Sequence, residues 1–280
     1  MAKDPHTPQI DDVEQSRFRT APSPGLVARF VEESRADFNL PEALIEAVYR
    51  RLLLATDVVV DGGAHVGRHT RPLADICAEG QVIAYEALPH LALKLEESFA
   101  RDANVVIRSK AIQNDPKLNE TTFQFVADAP ARSGITSSAI NIADHLQFDY
   151  ETLSVPATTI DSDLAALGVT IESVAFIKLD LEGGEFSALC GAQAVLQTAQ
   201  PIVVFENNFF SGDVLGYTDQ EMSMFFKSIG YERVTAFGQI VEDADFAYWY
   251  MFAAPTSKAG QLSDLLSELV EQMIEEIPST

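Results

Sequence analysis

The chain has 280 residues, 47% hydrophobic and 22% charged, and its 19 Lys+Arg against 42 Asp+Glu give a formal net charge of −23. That composition describes a globular protein with a sizeable core, long enough for one large α/β domain with appendages. It argues against nucleic acid or an anionic membrane as partner, since both require clustered basic residues.

In chain order, residues 1–25 are polar and proline-punctuated and read as a flexible lead-in. The start carries no apolar signal-like run, and nowhere do about 18 consecutive apolar residues occur, so a cytoplasmic location is expected. Residues 26–54 form a helical segment, with Pro41 of NLPEALIEAVYRRLLL placed for a first turn. Residues 55–255 then alternate strand and helix: DVVVDGG, a helix through Ala78, QVIAYEAL, the helical HLALKLEESFARD, and NVVIRSKAI. Such alternation builds right-handed βαβ units and a parallel sheet.

The rhythm breaks at residues 114–155, read as an insertion, and resumes with SVAFIKLD, EFSALCGAQAVLQT, PIVVFE and TDQEMSMFFKSIG. YERVTAFG and FAYWYMFAA close as a hairpin. The expected fold is α/β and Rossmann-like: a seven-stranded, mostly parallel sheet with an antiparallel last strand and helices on both faces. Residues 256–280 are an acidic amphipathic helix whose Leu262, Leu265, Leu266, Leu269, Val270, Met273, Ile274 and Ile277 share one face. That face either folds back on its own domain or forms a homodimer contact. Cys77 and Cys190 fall in helical segments and are expected to stay reduced.

The chemistry gathers at three strand ends. In VVVDGGAHVG, Gly62 and Gly63 admit close backbone approach, Gly67 allows the next helix to pack, and the helix start should offer unpaired N–H groups. The motif differs from GxGxxG, and Asp61 ahead of the glycines would repel a diphosphate and welcome an ammonium. Glu86 ends the second strand, where a carboxylate accepts from two vicinal hydroxyls of a ribose. An adenosine with a cationic amino-acid tail describes S-adenosylmethionine. His65 lies inside this loop and is placed to touch the cofactor or to pack. The third stretch, FIKLDLEGGEFSALCGA, crowds Lys178, Asp180, Glu182 and Glu185 at one strand end, either as an internal salt-bridge network or facing the transferred methyl.

VVVDGGAHVGRHT, YEALP, VPATTIDSDL, IKLDLEGGEFSALCGA and PIVVFE together resemble the successive motifs of the FkbM-type methyltransferases, over roughly residues 55–210. The resemblance implies a class I methyltransferase fold and an O-methyltransferase acting on a hydroxyl of a sugar, glycolipid or polyketide-like small molecule. It implies cofactor contacts at Asp61, Gly62, Gly63, Ala64 and Gly67, at Glu86 with Ala87 and Leu88, and near Ala111 and Ile112. Gly62 stands where the family more often carries a bulkier residue, and the C-terminal helix lies outside the shared region.

Methyl transfer from a sulfonium is an in-line displacement that needs alignment, proton removal and exclusion of water. Asp180 is the first candidate for base or orienting carboxylate, Glu182 the second, and His145 the alternative. Asp180, Glu206 and Asn207 also offer oxygen donors of the kind Mg²⁺ takes, so a Mg-assisted variant stays open beside the carboxylate base. Two other classes stay open: a nicotinamide-dependent oxidoreductase, disfavoured by the acid before the glycines, and a non-catalytic interaction subunit of the same fold.

Overall fold

The computed structural model describes residues 23–36, 39–125, 134–135, 151–207, 217–241 and 250–277. His145 and most of the NNFFSGD loop lie outside the described residues, as do the lead-in before residue 23 and much of the 114–155 insertion. The chain divides into two compact units.

One unit holds residues 53–206 together with a short stretch ending at Thr218. Its first strand, β1 (Val58–Gly62), is followed by a glycine turn and helix α3 (Thr70–Ile76), then β2 (Gln81–Tyr85), α4 (Pro89–Ser98) and β3 (Val105–Arg108). Further along come α5 (Ile160–Leu167), β8 (Val174–Leu179), α6 (Glu185–Cys190), α7 (Gln193–Thr198) and β9 (Ile202–Glu206). The five strands run parallel in the order β9-β8-β1-β2-β3, so the strand order reverses between β1 and β8. Ligands of open α/β sheets sit beyond the carboxyl ends of the strands at such a reversal.

Local chemistry fixes the helix ends. Pro89 opens α4, where its missing N–H costs nothing. The Thr159 side chain caps α5 by accepting from Ser162 N, and Gly168 ends that helix in the left-handed region at φ 70°. Asp161 reaches across to the start of α7, accepting from Ala194 N at 2.8 Å and Val195 N at 3.1 Å.

The irregular middle builds a second sheet of β4 (Ala111–Ile112), β5 (Glu120–Phe125), β6 (Gly134–Ile135) and β7 (Glu151–Thr158), ordered β4-β7-β5-β6. β5 covers most of ETTFQFVAD, whose alternation within the insertion reads as an antiparallel strand. Leu88, Leu91, Ala111, Phe123 and Val155 make an apolar cluster between this sheet and α4.

The other unit comprises helices α1 (Pro24–Ala36), α2 (Asn39–Leu52), α8 (Asp219–Ser228) and α9 (Thr256–Glu276) with strands β10 (Tyr231–Thr235), β11 (Ile240–Val241) and β12 (Tyr250–Pro255). β12 pairs antiparallel with β10, as the closing hairpin predicted, and β11 pairs on β10's other side. Among the described residues, the strands outside the second sheet number eight where the sequence suggested seven; β11 is too short to show a period. α9 packs on β10 and β12 and against α1 and α2. Leu262, Leu266, Leu269, Val270 and Ile274 are buried there, and none of its remaining apolar positions is fully exposed. The face on which a homodimer would have rested is therefore covered within the unit.

Candidate active site

One cavity is enclosed by the tips of β1, β2 and β8 together with β4, β5 and α4. Gly63 and His65 line it from the turn after β1, Glu86, Ala87 and Leu88 from the end of β2, Ala111 and Ile112 from β4, and Asp180 and Glu182 from the end of β8. These nine were all singled out in the sequence. Tyr85, Leu91, Lys110, Phe123 and Leu181 complete the lining and were not. Tyr85, Lys110 and Leu181 each neighbour a selected residue, and that adjacency was the available signal.

Three non-glycine residues among those described have positive φ: His65 at 49°, Glu182 at 52° and Gln200 at 52°. Two of the three line this cavity. Left-handed backbone is costly for a side-chain-bearing residue and gathers where structure serves a ligand.

Glu86 is nearly buried, and each carboxylate oxygen holds one backbone amide: Oε2 accepts from His65 N at 2.9 Å and Oε1 from Leu88 N at 2.8 Å. Burial pushes its pKa up, while those amides and the nearby Lys178 pull against the shift. The side chain is thus pinned at the cavity wall with lone pairs left over for hydroxyl donors.

The glycine turn differs from the expectation of open amides. Gly63 N and Ala64 N both donate to the Tyr85 carbonyl, at 3.0 and 2.9 Å, and Gly67 N donates to Ala64 O at 2.7 Å. With His65 N on Glu86, the turn's amides serve the fold and α3 begins only at Thr70. Nor do the glycines all face a ligand. A Cβ on Gly63, where φ is 76°, would lie 1.9 Å from Asp180 O. One on Gly62 would meet the Leu179 side chain at 2.9 Å, and one on Gly67 the Phe99 ring at 2.9 Å. Absent side chains here let β1's turn touch the turn after β8, and let α4 close over the loop.

Asp61, expected to receive a ligand's ammonium, is fully buried and does not line the cavity. Its Oδ2 accepts from Thr70 Oγ1 at 2.7 Å, and its Oδ1 lies 3.7 Å from Lys178 Nζ. Gly62, Ala64 and Gly67 likewise stand behind the lining.

The turn after β8 is organised by Glu185, which is wholly buried. Its Oε1 accepts from Leu181 N at 2.6 Å and Gly183 N at 3.4 Å, while its Oε2 accepts no hydrogen bond. Burial above all, with the negative charge of Asp180 adding, pushes its pKa up to about 8 against the pull of the amides. The carboxyl supports the loop from beneath through these two amides. Asp180, Glu182 and Glu206 each bring one carboxylate oxygen within 4.8 Å of the others. The sequence had grouped Asp180 with Glu206 and Asn207; the geometry adds Glu182.

An ion cluster gathers around buried Asp163. Asp163, on α5, accepts from Arg108 Nε and Nη2 and from Lys110 Nζ, each at 2.7 Å. Burial would raise its pKa, but these cations outweigh it and hold the group below the ordinary carboxylate range. Tyr85, beside this cluster, has its hydroxyl pKa raised by burial and by Asp163.

The methyltransferase FkbM domain matches residues 61–233. The chain belongs to the FkbM methyltransferase family. The family resemblance read from the motifs is thereby shown. No curated protein matches the chain. Among solved structures, methyltransferase FkbM from Methylobacillus flagellatus KT is 14% identical at a TM-score of 0.44, over 82% of this chain and 59% of that one. This chain therefore spans less than two thirds of that relative's length. A SAM-dependent methyltransferase from Aquifex aeolicus is 14% identical, TM-score 0.38, over 75% and 86% of the two chains. A SAM-dependent O-methyltransferase from Thermotoga maritima is 13% identical, TM-score 0.38, over 75% and 62%. No described helix of this family member is long and apolar enough to cross a membrane.

Proposed function

We propose that this family member is an O-methyltransferase that binds S-adenosylmethionine in the cavity at the β1, β2 and β8 tips and methylates a hydroxyl of a small molecule or saccharide. The observation that carries the reading is Glu86: a carboxylate fixed by two backbone amides, at the second strand tip, on the wall of a cavity that also meets the glycine turn. The residues present fit the cofactor. Glu86 can accept from a ribose diol, and Leu88, Leu91, Ile112 and Phe123 give an apolar slot for a planar base.

When bound, S-adenosylmethionine supplies a methyl group on a positively charged sulfur, ready for displacement. The chain's own task is to bring the acceptor hydroxyl into line and take up its proton as the O–CH₃ bond forms. Asp180 and Glu182 face the cavity from the β8 tip and are the carboxylates placed for that, Asp180 first. That carboxylate would take the hydroxyl proton while the methyl comes from the cofactor held at Glu86. Three acidic groups around the cavity, Glu86, Asp180 and Glu182, favour a neutral or cationic acceptor over a polyanion, in keeping with the net charge of −23.

Calorimetric titration with S-adenosylhomocysteine, run beside NAD, tests the cofactor assignment. Saturable binding of the homocysteine nucleoside, weakened about tenfold or more in Glu86→Gln, is expected from loss of a charge-assisted acceptor. Binding of NAD alone would overturn it.

A further inference from the structure

β8 reads VAFIKL, and Lys178 is its only charged residue, with a side chain just 4% exposed. An ammonium costs several kcal/mol to bury unless its partners are well placed, so its surroundings state its purpose. Nζ donates to Gly63 O at 3.2 Å, stands 3.4 Å from Asp180 Oδ2 and stands 3.7 Å from Asp61 Oδ1. Those three atoms belong to the turn after β1, the end of β8 and the tip of β1. The parallel register sets Asp61 directly beside Lys178, so the pairing is dictated by the sheet.

Asp61 is arranged as the keeper of this lysine. Thr70 holds its Oδ2, leaving Oδ1 without a hydrogen bond and turned toward the buried ammonium. A cation beside it stabilises a buried carboxylate oxygen that has no donor, and the cation in place here is the chain's own.

We propose that Lys178 is a positioning residue that clamps the cofactor turn to the proton-accepting end of β8, and that Asp61 acts on ligand binding through Lys178 and not by touching the ligand. Gly63 and Asp180 both line the cavity, and one ammonium fixes their separation across the point where the strand order reverses. The contact of the two turns, with Asp180 N donating to Gly62 O at 3.1 Å, leaves Lys178 as the polar peg beneath the joint. This inference rests on the cofactor assignment above.

The test uses the full chain and two ligands: S-adenosylhomocysteine, and 5′-methylthioadenosine, which is the same nucleoside without the charged amino-acid tail. Affinities are measured by calorimetry for wild type, Asp61→Asn, Lys178→Met and the double variant, with melting temperatures alongside. Each single change is expected to weaken S-adenosylhomocysteine by about tenfold, the size of a disturbed buried charge contact, and the two losses are not expected to add. Asp61→Asn should weaken both ligands by the same factor, because the turn has moved and the ligand's own charge is not what was lost.

Additive losses, or a loss in Asp61→Asn confined to the ligand with the ammonium, would show direct contact and overturn the proposal. So would unchanged affinity in folded Lys178→Met. If Lys178→Met does not fold, the two-ligand comparison on Asp61→Asn still decides. Wild type that binds neither ligand sinks the cofactor assignment itself, and the melting-temperature cycle then still reports whether Asp61 and Lys178 are coupled.

Discussion

Three glycines separate two costs that are usually mixed. Gly168 sits at φ 70° with nothing within 4 Å of where a Cβ would be, so Gly168→Ala meets only the left-handed backbone penalty. Gly191 has an ordinary φ of −84°, but its Cβ would lie 2.2 Å from Gln113 O, so Gly191→Ala meets only the contact. Gly63 combines both, with φ 76° and a Cβ 1.9 Å from Asp180 O. The backbone penalty is about 1–2 kcal/mol. The contact needs a movement of more than an ångström against backbone, and overpacking of that kind costs roughly 1–3 kcal/mol. Gly63→Ala should then lose about 2–5 kcal/mol, a fall in Tm of order 5–15 °C for a domain this size. Thermal unfolding of the three variants, followed by circular dichroism, gives the comparison, and the Gly63 loss should approach the sum of the other two. Only Gly63→Ala should also weaken S-adenosylhomocysteine, since the displaced atom belongs to Asp180 on the cavity wall. A Gly63→Ala protein that melts within a degree or two of Gly168→Ala would refute the claim that the two turns are in contact.

Glu185 makes the fold pH-sensitive. Its folded pKa is raised to about 8, so the folded state holds a proton that the unfolded chain releases near its ordinary value. Its contribution is complete below the unfolded pKa and is lost as pH rises through about 8, so Tm should decline across that window and decline less in Glu185→Gln. Parallel slopes in the two proteins would remove the assignment. Asp163→Asn strips the shared partner from Arg108 and Lys110 and should destabilise by about 2–4 kcal/mol in urea unfolding, somewhat under the fully buried case because both cations are partly exposed. Leu266 on α9 is fully buried, and Leu266→Ala should cost about 2–5 kcal/mol by the same measurement; a loss under half a kcal/mol would mean the helix face is not packed as described.

Much of the parallel half was legible because its signals are local. VVV, QVIAY and PIVVFE are apolar runs with turn residues at their ends, and each became a strand within a residue or two of where it was read. The C-terminal helix was equally plain from its period, yet the period could not say what would cover it; α1, α2, β10 and β12 do. The second sheet was mostly hidden. β4 and β6 have two residues each, too few for an alternation, and the pairing of β4 with β7 joins segments far apart in the chain.

The site divides along the same line. Residues that reach the cavity by standing at a strand tip, such as Glu86 and Asp180, follow from where a strand stops, which one segment of sequence reveals. What Asp61 faces depends on the register between β1 and β8, strands separated by the whole of β2 to β7, and a slip of one residue would turn Lys178 to the other face. An acid ahead of two glycines therefore reads as a ligand contact beside its neighbours in the chain, and lies 3.7 Å from a lysine among its neighbours in the sheet. The same reasoning applies to Gly63: the turn needs a glycine because Asp180's carbonyl occupies the space, and that carbonyl lies far along the chain from the motif it shapes. A loop motif in this fold thus records the contact between two turns as much as the approach of a cofactor, and only the across-sheet neighbour tells which residue serves which end.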